Sequence, residues 1–265
     1  MEKSFVTTGD RCRIAYRFDG PQHAPVLLLS NSLGTDMDMW TPQLDAFVGQ
    51  FRVLRYDSRG HGASGSPAGA YSMDRLGRDV VELLDALELE TVDFCGLSKG
   101  GMVGQWLGVR APERIRRLVL ANTSAYMGPP SNWQARIEGV LSAGMAPLAD
   151  ASIARWFTPD FPTRAPEAIA PIRTMLLACN PGGYAGCCAA IRDMDQRPTA
   201  SLIAPPVLVL AGSQDPSTTV ADGAWLAHSV QTGRLETLEA AHLSNVEQPE
   251  AFAAAVMNFL SPSKA

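Results

Sequence analysis

The sequence has no run of one-signed charge. Its 22 Lys and Arg stand against 27 Asp and Glu, a net charge of -5. Without a basic cluster, a nucleic-acid partner is not expected. No apolar run approaches membrane-spanning length, so no membrane partner is expected either. The opening Met1-Glu2-Lys3-Ser4-Phe5 lacks a basic segment leading into an apolar one, and no signal peptide is read there. Cysteine is scarce and poorly spaced for cross-linking. Cys12, Cys95, Cys179, Cys187 and Cys188 are odd in number, two are adjacent, and none forms a C-x-x-C pair. That argues against a disulfide framework and a structural zinc site. It suits reduced thiols in a cytoplasmic protein. No internal repeat or low-complexity segment is visible. What remains is an ordinary globular composition over 265 residues, enough for one domain with an insertion or two small domains. Oligomeric state is left open, a homo-oligomer included.

What is present is an alternation of short apolar runs and helical stripes. Arg11 to Phe18 largely alternates apolar and charged residues, as a half-buried edge strand does. Val26-Leu27-Leu28-Leu29 is a continuous apolar run, the mark of a strand covered on both faces. It ends in the polar loop Ser30-Asn31-Ser32-Leu33-Gly34. A helix is expected from Trp40 to Phe47, then a strand from Arg52 to Asp57 with the loop Ser58-Arg59-Gly60-His61-Gly62. Leu76, Val80, Leu83, Leu84 and Leu87 form a helical stripe over Met73 to Leu87. Strands follow at Val92 to Cys95, Arg117 to Leu120, Pro206 to Ala211 and Arg234 to Leu238, with helices at Thr219 to His228 and Pro249 to Leu260. Strands alternating with helices predict an α/β fold, doubly wound, with parallel pairing and ligands at the carboxyl ends of the strands. Between 126 and 200 the strand pattern stops. Pro, Gly and weak helical stripes there predict a mostly helical insertion, which splits the core into 1–125 and 201–265.

The stretch from Val92 to Gly101 carries the chemistry. Gly96-Leu97-Ser98-Lys99-Gly100 is a G-x-S-x-G pentapeptide between a strand and a helix, the order of a nucleophile elbow. The pentapeptide alone is weak, since Gly and Ser are common residues. An acyl-transfer serine also needs a base and a carboxylate to orient it, and this fold supplies them in the order Ser, Asp or Glu, His. Asp215 lies just past one strand and His242 just past the next. By itself Asp215 reads as a turn-capping residue before Pro216, and His242 as a surface loop histidine. Together with Ser98 they read as a triad on one edge of the sheet. His23, His61 and His228 are poorer bases, His61 lying in what looks like a structural turn. Asp57, Asp193 and Asp195 are poorer acids. The oxyanion donors expected are the backbone N–H of Lys99 and that of Leu33. The Lys99 side chain reads as an exposed stem with a solvated head, with contact to an anionic substrate as the other reading.

Ser30-Asn31-Ser32-Leu33-Gly34-Thr35-Asp36, Arg55 to Gly62, Gly96-Leu97-Ser98 and Ala241 to Pro249 together resemble the 3-oxoadipate enol-lactonases of the α/β-hydrolase superfamily. The Ser-Asn-Ser-Leu-Gly-Thr-Asp loop is the specific part, because most of the superfamily carries His-Gly there. The resemblance implies a mostly parallel eight-stranded sheet with helices on both faces, and a helical cap over the site at 126–200. It implies hydrolysis of an anionic enol-lactone to 3-oxoadipate through an acyl-enzyme, in bacterial degradation of protocatechuate and catechol. No metal or organic cofactor is implied. The substrate carboxylate requires a cation or donors, for which Ser32, Trp133 and Arg136 are the candidates; Arg155, Arg173 and Arg192 stay open. Ordinary packing is the competing reading of Trp133 and Arg136. A general carboxylesterase, a carbon–carbon bond hydrolase or a perhydrolase-like enzyme of the same fold is the nearest rival. A receptor-like binding module with this fold is a more distant one.

Overall fold

A computed structural model describes residues 3–261. Among them, eight strands form one sheet: β1 (Ser4–Thr7), β2 (Arg13–Asp19), β3 (Val26–Ser30), β4 (Arg52–Tyr56), β5 (Val92–Leu97), β6 (Ile115–Ala121), β7 (Val207–Gly212) and β8 (Gly233–Leu238). Their spatial order is β1-β2-β4-β3-β5-β6-β7-β8. β1 pairs antiparallel with β2 and β2 with β4, and every later pairing is parallel. The continuous apolar strands sit in the middle, where both faces are covered: every residue of β3, β5 and β7 is buried. β1 is absent from the strands read in the sequence. Ser4-Phe5-Val6-Thr7 is mostly exposed and too short to show a period.

The helices are α1 (Leu44–Phe47), α2 (Met73–Ala86), α3 (Lys99–Arg110), α4 (Pro130–Ala143), α5 (Ala149–Trp156), α6 (Phe161–Arg164), α7 (Pro166–Ala178), α8 (Pro181–Asp193), α9 (Val220–Ser229), α10 (Ser244–Glu247) and α11 (Pro249–Leu260). The helix expected from Trp40 is α-helical only in its last turn. Met37–Gln43 winds as a tighter 3-10 helix, and Pro42 inside it has no N–H for an α-type bond. Helices α4 to α8 all fall between β6 and β7, and α4 packs closely on α8. The insertion is therefore helical, apart from a single antiparallel bridge between Tyr126 and Asp195. All five cysteines are buried and free. No helix among the described residues is long and apolar enough to cross a membrane.

Candidate active site

Ser98 stands between β5 and α3 with φ 57° and ψ −115°, a conformation costly for a residue with a side chain. The elbow is held from both sides: Ser98 N–H donates to Ala121 O at 2.9 Å, and Thr123 Oγ1 donates to Ser98 O at 2.8 Å. The two glycines of the pentapeptide are required by space. A Cβ on Gly96 would collide with Gly100 O, and one on Gly100 with Ser30 O. Strain at one residue is thus fixed by close backbone packing around it.

His242 lies in the loop after β8, and its Nε2 is 2.9 Å from Ser98 Oγ. Its Nδ1 is 2.8 Å from Asp215 Oδ2, so that Nδ1–H is the donor to the carboxylate. Asp215 follows β7. It also accepts from Thr218 Oγ1 at 2.6 Å, Asn122 Nδ2 at 3.1 Å, and the N–H groups of Ser217 and Thr218 at 2.8 and 3.1 Å. Burial opposes its charge, but His242 and these donors outweigh that and hold its pKa down to about 2. The His242 loop is tied by buried Glu247, which accepts from Ala241 N–H at 2.9 Å and from the Thr158 hydroxyl. Leu243 N–H donates to Trp156 O at 2.9 Å, so the insertion helps to fix the histidine.

Sequence reading missed Asn122 and Thr218. Asn122 has φ 44° at the carboxyl end of β6, and its amide oxygen accepts from Ser244 Oγ at 2.5 Å. An asparagine at a strand end on the site's edge was the only signal.

Beside the elbow runs the loop after β3. Ser32 O accepts from Thr35 N–H at 3.4 Å and Thr35 Oγ1 at 3.0 Å. Ser32 O and Leu33 N–H belong to one trans peptide and point opposite ways. Thr35 therefore turns the Leu33 N–H away from the loop interior. Lys99 is the first residue of α3, where an N–H has no intrahelical acceptor. Neither N–H donates to a protein group among the described residues.

The Lys99 side chain corrects the sequence reading. It is 0% exposed, and its Nζ has no hydrogen-bond partner among the described residues. It is neither a solvated head nor part of the cavity wall. Cys179 and Cys187 of the insertion lie close enough to interact with its charge, and burial pulls its pKa down. A side chain at the start of a helix in open solvent becomes a core side chain once the insertion is laid over it.

A cavity of about 230 Å³ opens onto Ser98 and His242. Ser32, Leu33, Trp133, Arg136, Arg155 and Tyr184 are among its walls. Arg136 lies over the Trp133 ring, 5.1 Å from its centroid, and donates to Tyr184 Oη at 3.5 Å. The Trp133 N–H is already committed to Met127 O at 2.6 Å, so it offers the cavity no free donor. Arg155 is half-buried beside Arg136, and burial followed by that neighbouring charge lowers its pKa. Neither arginine forms an ion pair among the described residues. Arg173 and Arg192, in contrast, pair with Asp150 and Asp193 away from the cavity. Asp193 and Asp195 are taken by Arg192 and Arg197, and Asp57 is buried against Met37 N–H and Ala63 N–H. His23 and His228 are exposed.

The α/β hydrolase fold family matches residues 25–249. The chain belongs to the α/β-hydrolase family. It is 45% identical to 3-oxoadipate enol-lactonase 2 of Acinetobacter baylyi over 94% of this chain and 93% of that protein. Among solved structures it is similar to a hydrolase from Pseudomonas aeruginosa, with TM-score 0.96, 50% identity and 98% of each chain covered. It is equally similar in shape to the enol-lactonase from Burkholderia xenovorans, with TM-score 0.96, 42% identity, and 98% and 100% coverage. As a member of this family the chain is a hydrolase, and its Ser98–His242–Asp215 contacts form a triad-like arrangement.

Proposed function

We propose that this hydrolase opens the enol-lactone of 3-oxoadipate to 3-oxoadipate, in bacterial breakdown of protocatechuate and catechol. The observation that carries this reading is the arginine pair. Arg136 and Arg155 face the same cavity as Ser98, and neither has an acid partner among the described residues. Cations held partly out of water without a counter-charge favour an anionic ligand. The similarity to enol-lactonases names a substrate of that kind.

In this reading Ser98 Oγ attacks the lactone carbonyl while His242 Nε2 takes its proton. Asp215 keeps the imidazole in the required tautomer and offsets its charge as it forms. The Leu33 and Lys99 N–H groups receive the oxyanion. Collapse of the tetrahedral intermediate breaks the ring C–O bond, and His242 returns the proton to the departing enolate. The enol becomes a ketone, which disfavours ring re-closure. A water deprotonated by His242 then releases the acyl group from Ser98. The helical insertion acts as a cap. Arg136, joined by Arg155, holds the substrate carboxylate, the Trp133 face covers the ring, and Ser32 donates to it. No step calls on a metal or a cofactor.

The test is a side-by-side assay of the purified protein on the enol-lactone and on simple aryl esters. A higher kcat/KM on the lactone is expected. Turnover of the esters with none of the lactone would leave a general carboxylesterase in its place.

A further inference from the structure

His61 has a second role to explain. Its ring is 2% exposed, behind the loop that carries Leu33. Gly34 N–H donates to its Nε2 at 2.9 Å. An amide can only donate, so Nε2 must be the unprotonated nitrogen. The proton then sits on Nδ1, which faces Arg59 O at 3.3 Å and Cys187 Sγ at 3.9 Å. Arg59 is itself anchored: its guanidinium donates to Asp79 at 2.5 and 2.6 Å and to Asp10 at 2.8 and 3.1 Å. A rigid support therefore ends in one acceptor nitrogen aimed at one loop amide.

That amide is next to the one expected to hold the oxyanion. Gly34 has φ +81°, and a side chain there would strike Leu176 and crowd Tyr184. The loop therefore makes its turn at the residue whose N–H meets His61. Upstream, Thr35 fixes the Ser32 carbonyl. Leu33 lies between these two fixed peptides, and its N–H direction follows from both.

We infer that His61 is a positioning residue: by accepting the Gly34 N–H at Nε2 it sets the direction of the Leu33 N–H toward the developing oxyanion at Ser98. This rests on the hydrolytic reading above. His61 touches no reacting atom, and it acts only through the loop.

A protonated His61 would set a second donor against Gly34 N–H, and an apolar residue would leave that amide buried and unpaired. Either change frees the loop to shift, and a donor displaced from the oxyanion loses much of its effect.

The experiment compares His61→Met with His61→Gln on the full chain. Met replaces the acceptor nitrogen with a thioether, a far weaker acceptor, and roughly keeps the length, while the Gln amide oxygen reaches about as far as Nε2. His61→Met is expected to lose about 10- to 100-fold in kcat with little change in KM. Its affinity for an arylboronic acid, which mimics the tetrahedral oxyanion, falls in parallel. His61→Gln recovers most of both. A folded His61→Met with wild-type kcat and boronate affinity overturns the inference, as does a folded His61→Gln no better than Met. If the Met variant does not fold, the imidazole 15N shifts of the wild type decide: an unprotonated Nε2 bonded to Gly34 N–H supports the inference, and a protonated Nε2 overturns it. A wild type that spares the lactone but opens aryl esters would defeat the substrate assignment alone. The His61 comparison would then run on the ester.

Discussion

Two buried histidines flank the elbow and meet opposite surroundings. His242, 4% exposed, has a carboxylate on one nitrogen and the Ser98 hydroxyl on the other. His61, 2% exposed, has an amide donor on one nitrogen, a carbonyl at the other, and no carboxylate on either, while the Lys99 charge acts on its ring. Burial first, and then the Lys99 charge, push the His61 pKa well below its ordinary value of 6.5. The same side chain is thus built once to pass a proton and once to stay neutral. What separates the roles is the partner on each nitrogen and the sign of the charge acting on the ring, since both rings are buried. The two sides also differ in source. Asp215 and Asn122 come from strand ends of the core, whereas Cys179, Cys187 and Tyr184 reach His61 and Lys99 from the insertion.

The strongest way to break this comparison is to remove the proton-passing side. Ser98→Ala is expected to lose roughly 10⁴-fold or more in kcat, and Asp215→Asn about as much. Both variants should keep the wild-type melting temperature to within a few degrees. Retained turnover in Ser98→Ala, measured by single-turnover loss of the lactone, would remove the serine mechanism and with it the contrast between the histidines.

A smaller effect is expected where the two sides share the cavity. Arg136→Ala should raise KM about 10- to 100-fold with kcat less affected, because a hydrogen bond to a charged group contributes about 1.5–3 kcal/mol. Arg155→Ala should act in the same direction, and the double variant should exceed either alone. Neutral aryl esters should be nearly indifferent to both changes. An unchanged KM for the lactone in the double variant would move the carboxylate's partner elsewhere.

How much of this was legible in the sequence follows from which contacts are local. Ser98 and Asp215 each follow a buried apolar strand and His242 follows the mostly exposed edge strand β8, and strand ends on one edge of a parallel sheet converge. Their order along the chain was enough. Lys99 was misread because its surroundings are not local. Nothing near position 99 announces that α8 will come close to it, about 90 residues later, with Cys187 near enough to interact with its charge. Arg155 could not be told from Arg173 and Arg192 for the same reason: only the fold shows which arginine meets an acid and which meets the cavity. β1 escaped notice because four mostly exposed residues carry no pattern.

The subtlest change tests the His61 side through its lysine. A buried amine without a partner costs folding free energy, and Met fills a similar volume without that cost. Lys99→Met is expected to stabilise the fold by about 1–3 kcal/mol where the wild-type amine is charged. The pH dependence fixes the cause. Burial lowers the folded-state pKa of Lys99 below its ordinary 10.5, so the unfolded chain binds the proton more tightly. Between those two values the wild type gains stability as pH rises, and below the folded value the penalty is complete. The advantage of Lys99→Met should therefore be full below the folded-state pKa and fade as pH rises from there toward about 10.5. Chemical denaturation of both proteins across that range is the measurement. A gain that does not fade would assign it to packing, and a loss of stability would mean that the amine has found a partner. The lysine charge also opposes a proton on His61. Its removal should let the Gly34 contact fail at a higher pH than in the wild type, and the activity of Lys99→Met should fall earlier on acidification.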